Sequence, residues 1–205
     1  PCEREYPLGL SSDGSFAVVR VTSVGTYFPF TNRAEPRGVH LPERIDVINL
    51  SDGERRTLNR SGFLPGLGSL STDDSTVAVI EQTKLHDGVI LIDVASGARR
   101  TVFTGPRGSL SHVKLSSRAN YAIVKNTIGD RTHYTLINTN EKSIEAFPEG
   151  HRYFRWLELP LTEGETVRHE VVASTYQHPE GHTELVLTDP VTRTIMKQFR
   201  VPNES

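Results

Sequence analysis

One ten-residue pattern occurs three times without gaps, and it limits the fold more than any other feature of the sequence. The copies span residues 10–19, 70–79 and 115–124. Each copy begins with Leu-Ser, continues through a polar turn of Ser, Asp, Gly or Asn, and ends in an apolar run rich in β-forming residues. Short polar side chains and glycine are the residues that tight hairpins require. Each copy therefore predicts a β-hairpin.

A second pattern follows each copy and occurs once more near the end of the chain. It consists of an apolar run, a polar turn that opens with Asn or Asp, and a further strand-like run. The four copies span residues 45–58, 89–102, 134–147 and 185–199. Their turns open at Asn49, Asp93, Asn138 and Asp189, which are 44, 45 and 51 residues apart. This spacing is typical of a four-stranded propeller blade.

The repeat predicts an all-β chain, a propeller-like array of about four antiparallel four-stranded blades. We place the units at about 6–60, 61–104, 105–149 and 150–201, within a single domain 1–205. A small antiparallel sheet cannot bury both of its faces alone, so neighbouring sheets must pack face to face. The sequence leaves open whether four blades close within this chain or form part of a larger propeller.

The first unit carries an insertion at residues 20–44, which separates its second and third strands. Connections of this length are uncommon unless they bind a partner or cover a neighbouring surface. Both roles are compatible with its aromatic and basic content, and Tyr and Arg are favoured at protein interfaces. The residues that we assign to a candidate contact are Tyr27, Phe28, Phe30, Arg33 and Arg37.

Two further groups of basic residues are candidate contacts. The run from His151 to Trp156 interleaves Arg152 and Arg155 with aromatic residues. It predicts either a strand whose aromatic residues divide between core and rim or, with Trp156, a stacking surface. Basic pairs also recur at 55–56 and 99–100. They indicate solvated outer strands protected from mispairing, or a basic rim for an acidic partner.

The repeat resembles the blades of TolB-like and prolyl-oligopeptidase-type propellers. The resemblance rests on residues 10–18 and 46–58, and on their copies within 70–102 and 115–147. Propellers of this kind usually have six to eight blades, which implies that four blades are completed by another segment or form an unusually small propeller. In the peptidase relatives the propeller precedes an α/β-hydrolase domain with a Ser–Asp–His triad. This sequence contains no such domain, so the resemblance assigns catalysis to none of its residues.

No motif in the sequence indicates catalysis, a cofactor or a metal. A Gly-x-Ser-x-Gly nucleophile motif is absent, and Gly66-Leu-Gly68 lacks the third glycine of a dinucleotide fingerprint. The single cysteine excludes an intrachain disulfide and a thiolate zinc site. His178 and His182 are four residues apart, but Pro179 and Gly181 prevent the helix that would align them. We therefore expect two exposed histidines in a turn.

The composition narrows the partners. The formal net charge of −2 gives no general attraction to nucleic acid, and no apolar run approaches the ~20 residues of a membrane span. The first residues do not resemble a signal peptide and lack Met, which predicts a processed or excised segment. We expect a non-catalytic scaffold that contacts a protein or peptide. The alternative is the substrate-gating propeller of a serine peptidase whose catalytic domain lies outside this chain.

Overall fold

The computed structural model describes residues 2–24, 43–61, 68–159 and 169–202. Within these ranges, sixteen strands form four sheets of four. The first blade contains β1 (Cys2–Leu10), β2 (Phe16–Val24), β3 (Glu43–Asn49) and β4 (Arg55–Ser61), and the second contains β5 (Ser69–Leu70), β6 (Thr76–Gln82), β7 (His86–Asp93) and β8 (Arg99–Pro106). The third contains β9 (Leu110–Leu115), β10 (Tyr121–Ile128), β11 (Arg131–Asn138) and β12 (Ile144–Ala146), and the fourth contains β13 (His151–Leu159), β14 (His169–Gln177), β15 (Thr183–Thr188) and β16 (Ile195–Arg200).

Each blade pairs its four strands in chain order, and every pairing is antiparallel. The predicted all-β, four-bladed fold is thus confirmed. Within the described ranges, β1 pairs with β2 and β16 with β15, and no strand pairing joins the first blade to the fourth. The described residues contain no helix long and apolar enough to span a membrane.

The Leu-Ser repeat forms the turn between the first two strands of three blades. In each turn the serine hydroxyl accepts a hydrogen bond from the amide five residues later, at 2.9 Å for Ser11 and 3.0 Å for Ser71. The fourth residue after the leucine has a positive φ in every copy: Gly14 at 71°, Asp74 at 61° and Ala119 at 55°. The repeat therefore encodes one backbone shape, which two of the three copies adopt without glycine.

The Asn or Asp repeat forms the turn between the third and fourth strands of all four blades. Its side-chain oxygen accepts a backbone amide two or three residues later, at 2.9 Å for Asn49 and 2.7 Å for Asp93 and Asp189. A short polar side chain that bonds to the following backbone amide stabilises such a turn. The fourth residue after each Asn or Asp has a positive φ, and these residues are Gly53, Gly97, Lys142 and Arg193.

The core lies between adjacent blades. The alternation of side chains along each strand sends successive residues to opposite faces, so that one blade contributes to two interfaces. The second blade is the clearest case: Val77, Ile90 and Ile92 pack against the first blade, while Ala78, Ile80 and Leu91 pack against the third. The interface between the third and fourth blades is aromatic and includes Tyr121, Tyr134, Phe147, Phe154 and Trp156.

Polar contacts join the blades at their rims. Arg56 of the first blade donates to the carbonyls of Val94 and Ala95 in the second blade. Arg100 of the second blade donates to the carbonyl of Thr139 in the third blade. These two arginines occupy equivalent repeat positions. The recurring basic pairs thus begin the exposed outer strands, as expected, but one arginine of each pair also links two blades.

Candidate functional site

The predicted contact insertion is shorter than the sequence indicated. Strand β2 continues to Val24 and β3 begins at Glu43, so residues at both ends of the 20–44 segment belong to the sheet. The strands extend because Arg20 and Val21 pair with Ile45 and Arg44. Tyr27, Phe28, Phe30, Arg33 and Arg37 lie outside the described residues. Their assignment to a contact stays a prediction.

The predicted residues of the 151–156 run do not share one surface. Trp156 is half-buried against the third blade, where its ring lies 6.1 Å from that of Tyr121 and its indole donates to the carbonyl of Lys114 at 3.3 Å. Arg155 pairs with Ala173 and therefore projects from the opposite face, as does Arg152. Both arginines are exposed. The alternation of β13 thus separates the cations from the tryptophan.

The face of the fourth blade that points away from the third blade is apolar and partly accessible, since Val171 and Ala173 on it are buried. We call it the outer face, and the pairing register assigns to it Arg155, Leu157, Val171, Ala173, Leu185, Leu187, Lys197 and Phe199. Leu157, Leu185 and Phe199 are 37%, 36% and 41% exposed. The ammonium group of Lys197 lies 5.0 Å from the centre of the Phe199 ring. A patch of apolar side chains flanked by cations is typical of a protein contact surface.

The corresponding free face of the first blade is closed by charged side chains. Arg44 forms ion pairs with Glu3 at 2.6 Å and with the buried Asp46 at 2.8 Å. Arg55 reaches across the sheet to Glu5 at 2.5 Å. The hydrogen bonds that Arg44 donates to Glu3 and Asp46 raise the pKa of Arg44, and the bonds that Glu3 accepts lower the pKa of Glu3. The two ends of the blade array therefore differ in chemistry.

A basic cavity of about 230 Å³ lies beside the first strands of the third and fourth blades. Its lining includes His112, Lys114 and Lys125, with Tyr134 and Tyr153. Burial lowers the pKa of His112, and the nearby Lys125 and Lys114 lower it further. Burial, and then Arg155, lowers the pKa of Lys114. Among the described residues the cavity lining carries no carboxylate, so its positive charge favours an anionic ligand.

The backbone of Tyr153 is unusual. This residue has a φ of 51° and is 80% exposed at the mouth of the basic cavity. The left-handed region is unfavourable for a bulky side chain, and such residues often lie at binding sites. Strand β13 is irregular at this residue, since its register with β14 shifts between Arg152 and Arg155. The shift directs Phe154 into the core while Tyr153 projects to solvent.

The two histidines expected to be exposed lie together in the turn between β14 and β15. The turn itself is as predicted, but His182 is only 9% exposed, and its ring stacks on that of His178 with centroids 4.4 Å apart. His182 Nε2 lies 3.1 Å from a carboxylate oxygen of Glu184. Hydrogen bonds from Gln198 and then from His182 lower the pKa of Glu184. The tight turn brings the two histidine side chains together, although the absence of a helix was expected to keep them from aligning.

A buried serine–histidine pair does not form a hydrolase site. His151 Nδ1 lies 2.8 Å from the hydroxyl of Ser174, and the pair is enclosed by the rings of Phe154 and Tyr176. Ser174 is fully buried, so its hydroxyl has no access to a substrate. Burial also lowers the pKa of His151. We assign this pair to the core of the fourth blade.

No known protein family and no curated protein matches the sequence. Solved structures align with nearly the whole length of the chain. An acylaminoacyl peptidase from Pyrococcus horikoshii aligns with 98% of the chain at a TM-score of 0.60 and 10% identity. The fold is that of a β-propeller domain. The propeller domain of the Trilobed protease from Pyrococcus furiosus aligns with 97% of the chain at a TM-score of 0.50 and 10% identity. The alignment covers 71% of that protein chain, which is described as having an open velcro topology.

A puromycin-hydrolyzing peptidase from Mycobacterium tuberculosis is similar over 94% of this propeller chain, at a TM-score of 0.54 and 19% identity. The chain spans 33% of the length of the P. horikoshii peptidase and 31% of the M. tuberculosis one. At these identities the likeness establishes the fold alone. The predicted fold-level resemblance to peptidase propellers is confirmed.

Proposed function

We propose that this chain is a non-catalytic, protein-binding set of propeller blades, and that the outer face of the fourth blade binds a further antiparallel β-sheet. The observation that carries the proposal is the exposure of Leu157, Leu185 and Phe199 on one sheet face. The equivalent faces of the inner blades are covered by a neighbouring sheet. A face of this composition gains free energy when a similar sheet covers it, at roughly 25 cal/mol per Å² of apolar area buried.

The charges on the outer face restrict which side chains the partner's β-sheet carries. Arg155 and Lys197 lie on either side of the central Ala173 and Leu187, along one row across the sheet. A partner with carboxylates opposite these two cations would satisfy them, whereas a basic partner would be repelled. The proposed occupant is therefore an apolar β-sheet face with acidic residues at its border.

Photo-cross-linking at position 185 tests this contact. A benzoylphenylalanine in place of Leu185 should cross-link a partner in cell extract, and the cross-linked residue of the partner should lie on a β-sheet. The matched control places the same group at Leu85, which is 85% exposed but belongs to the turn between β6 and β7. With the purified partner, Leu185→Lys should weaken binding at least tenfold, while Leu85→Lys should leave the affinity unchanged.

Two results would reject the protein-contact role of the outer face. The first is cross-linking at position 185 that is no stronger than at position 85. The second is an affinity for the captured protein that Leu185→Lys does not alter while circular dichroism shows an intact fold. Capture of a protein that binds elsewhere on the chain would give this second result.

A second function, the gating of peptide substrates for a serine peptidase, is supported by the basic cavity. The first strand of each blade lines the central channel in a propeller, and this cavity lies beside β9 and β13. His112, Lys114 and Lys125 would contact the carboxylates of a passing peptide. The peptidase structures that resemble this chain support the same function.

Peptide binding distinguishes this second function from the first. A fluorescent pentapeptide with a free C-terminal carboxylate should bind more tightly than its C-terminal amide, and Lys125→Ala should reduce the difference severalfold. Lys84→Ala, in the turn between β6 and β7, is the control. Equal binding of acid and amide would argue against a carboxylate site without affecting the outer-face proposal.

A further inference from the structure

The turn between β14 and β15 has the geometry of a chelating loop. The amide of Gly181 donates to the carbonyl of His178 at 2.9 Å, and the amide of His178 donates to the carbonyl of His182 at 2.9 Å. Gly181 has a φ of 88°, a conformation that favours glycine. These backbone bonds bring the histidine side chains to the same side of the turn. The carboxylate of Glu180 lies between them in sequence and close to them in space.

Three possible ligand atoms converge at this turn. One atom each from His178, Glu180 and His182 lies within 4.8 Å of the others. Among the described residues, no other group of three His, Cys, Asp or Glu side chains is this close. Zinc bonds of about 2.0–2.2 Å place tetrahedral ligand atoms roughly 3.4 Å apart. Side-chain rotations alone can close the difference, because Glu180 is exposed and His178 is partly exposed.

The second nitrogen of His182 has the partner that a metal-bound imidazole requires. Its Nε2 lies 3.1 Å from Glu184, and the side chain of Glu184 is only 16% exposed. Gln198 donates to the other oxygen of the same carboxylate and holds it in place. If Nε2 carries the proton and donates it to Glu184, the lone pair of Nδ1 is free for a metal ion. This carboxylate–histidine arrangement recurs beside metal sites and raises the basicity of the ligand.

The Nδ1 lone pair of His178 accepts a long backbone hydrogen bond, which a metal ion bound at this nitrogen would replace. The bond comes from the amide of Glu180 at 3.3 Å, and Nδ1 lies 3.8 Å from the carboxylate of that residue. The rings of His178 and Tyr176 pack in a T-shaped arrangement with centroids 5.9 Å apart, which limits the rotation of His178 away from the turn. Two imidazole nitrogens and one carboxylate are ligands that Zn²⁺ prefers.

We propose that His178, Glu180 and His182 bind a divalent transition-metal ion, Zn²⁺, and that Glu184 positions His182. Three protein ligands leave the fourth tetrahedral position for water or for a side chain of a bound protein. The site is separate from the outer face of the fourth blade and from the basic cavity. Neither proposed function requires it.

Isothermal titration calorimetry with ZnCl₂ on the full chain tests the site. We expect one ion bound per chain. His178→Ala and Glu180→Ala should each weaken binding at least tenfold, and both change accessible side chains of the turn, so the fold should be retained. Glu184→Gln should weaken binding about tenfold, as loss of such a partner does elsewhere. The matched control is His86→Ala, which removes an exposed histidine at the start of β7, next to the corresponding turn of the second blade.

The fold of each variant is checked by circular dichroism before titration, because His182 is buried and its own replacement could unfold the turn. Loss of zinc binding in His178→Ala and Glu180→Ala, but not in His86→Ala, supports the site. Zinc binding that is equally strong in all variants would overturn it and would indicate adventitious binding to scattered histidines. Absence of zinc binding by the wild-type chain would overturn it as well, leaving the His182–Glu184 pair a purely structural contact.

Discussion

Replacement of Phe154 by alanine should undock the fourth blade from the third. Phe154 is 3% exposed, and its ring centroid lies 4.4 Å from that of Tyr134 and 4.6 Å from that of Phe147. Truncation of a buried phenylalanine costs about 3–5 kcal/mol, through lost burial and an unfilled cavity. Each lost ring pair contributes about 0.5–1.5 kcal/mol beyond its area. We therefore expect a loss near the upper end of that range.

Urea unfolding followed by tryptophan fluorescence measures this loss. The only tryptophan, Trp156, lies in the same interface, so its emission reports blade docking directly. With a slope of about 2–3 kcal/mol per M, the midpoint should fall by roughly 1.5–2.5 M. Tyr153→Ala, which changes the neighbouring exposed aromatic side chain, should alter stability by no more than about 0.5 kcal/mol. A Phe154→Ala midpoint within about 0.2 M of the wild type would refute the aromatic interface.

Four further substitutions test the turns, the rim and the core. Lys142→Gly should stabilise the chain by roughly 0.5–1 kcal/mol, because Lys142 has a φ of 56°. Gly53→Ala, at the equivalent position of the first blade, should destabilise the chain. Thermal unfolding measures both changes. Arg100→Ala should lower the free energy of unfolding in urea by about 1 kcal/mol, because the hydrogen bond to the next blade is lost. An unchanged free energy of unfolding would show that Arg100 does not stabilise the contact between these blades. Burial lowers the folded-state pKa of His151 below its unfolded value near 6.5, so its contribution to stability is full above about pH 6.5 and is lost as the pH falls below it. His151→Gln should reduce this acid sensitivity, and an unchanged pH profile would contradict the assignment.

The turns could be predicted from the sequence because their causes are local. Ser11 and Ser71 bond to amides five residues away, and Asn49 bonds to an amide two residues away. Such bonds depend on the turn sequence rather than on distant packing. The repeat of these turns sets the strand order. The alternation of apolar side chains along the strands between the turns sets which residues form the core. Four sheets with consecutive strands follow from that information.

The contacts between blades could not be predicted in the same way. Arg100 donates to a carbonyl 39 residues later, and nothing near either residue in the sequence indicates the bond. One interpretation of the 151–156 run was a stacking surface shared by Arg155 and Trp156, but the register of β13 places these residues on opposite faces. The outer face could have been found from the alternation of β15 and β16. The turn of His178 and His182 could be predicted, but the stacking of the two rings could not, because it depends on the backbone shape of the turn rather than on helical spacing.

Hydrogen–deuterium exchange of the fourth blade tests the central claim most directly, since it reports whether a bound protein covers the outer face. The measurement compares amide exchange in β15 and β16 for the chain alone and with the protein captured at Leu185. We predict slower exchange in β15 and β16 on binding, with unchanged exchange in β3 and β4 at the charged end of the array. Unchanged exchange in the fourth blade, or protection confined to the first, would contradict the assignment of the outer face as the binding surface.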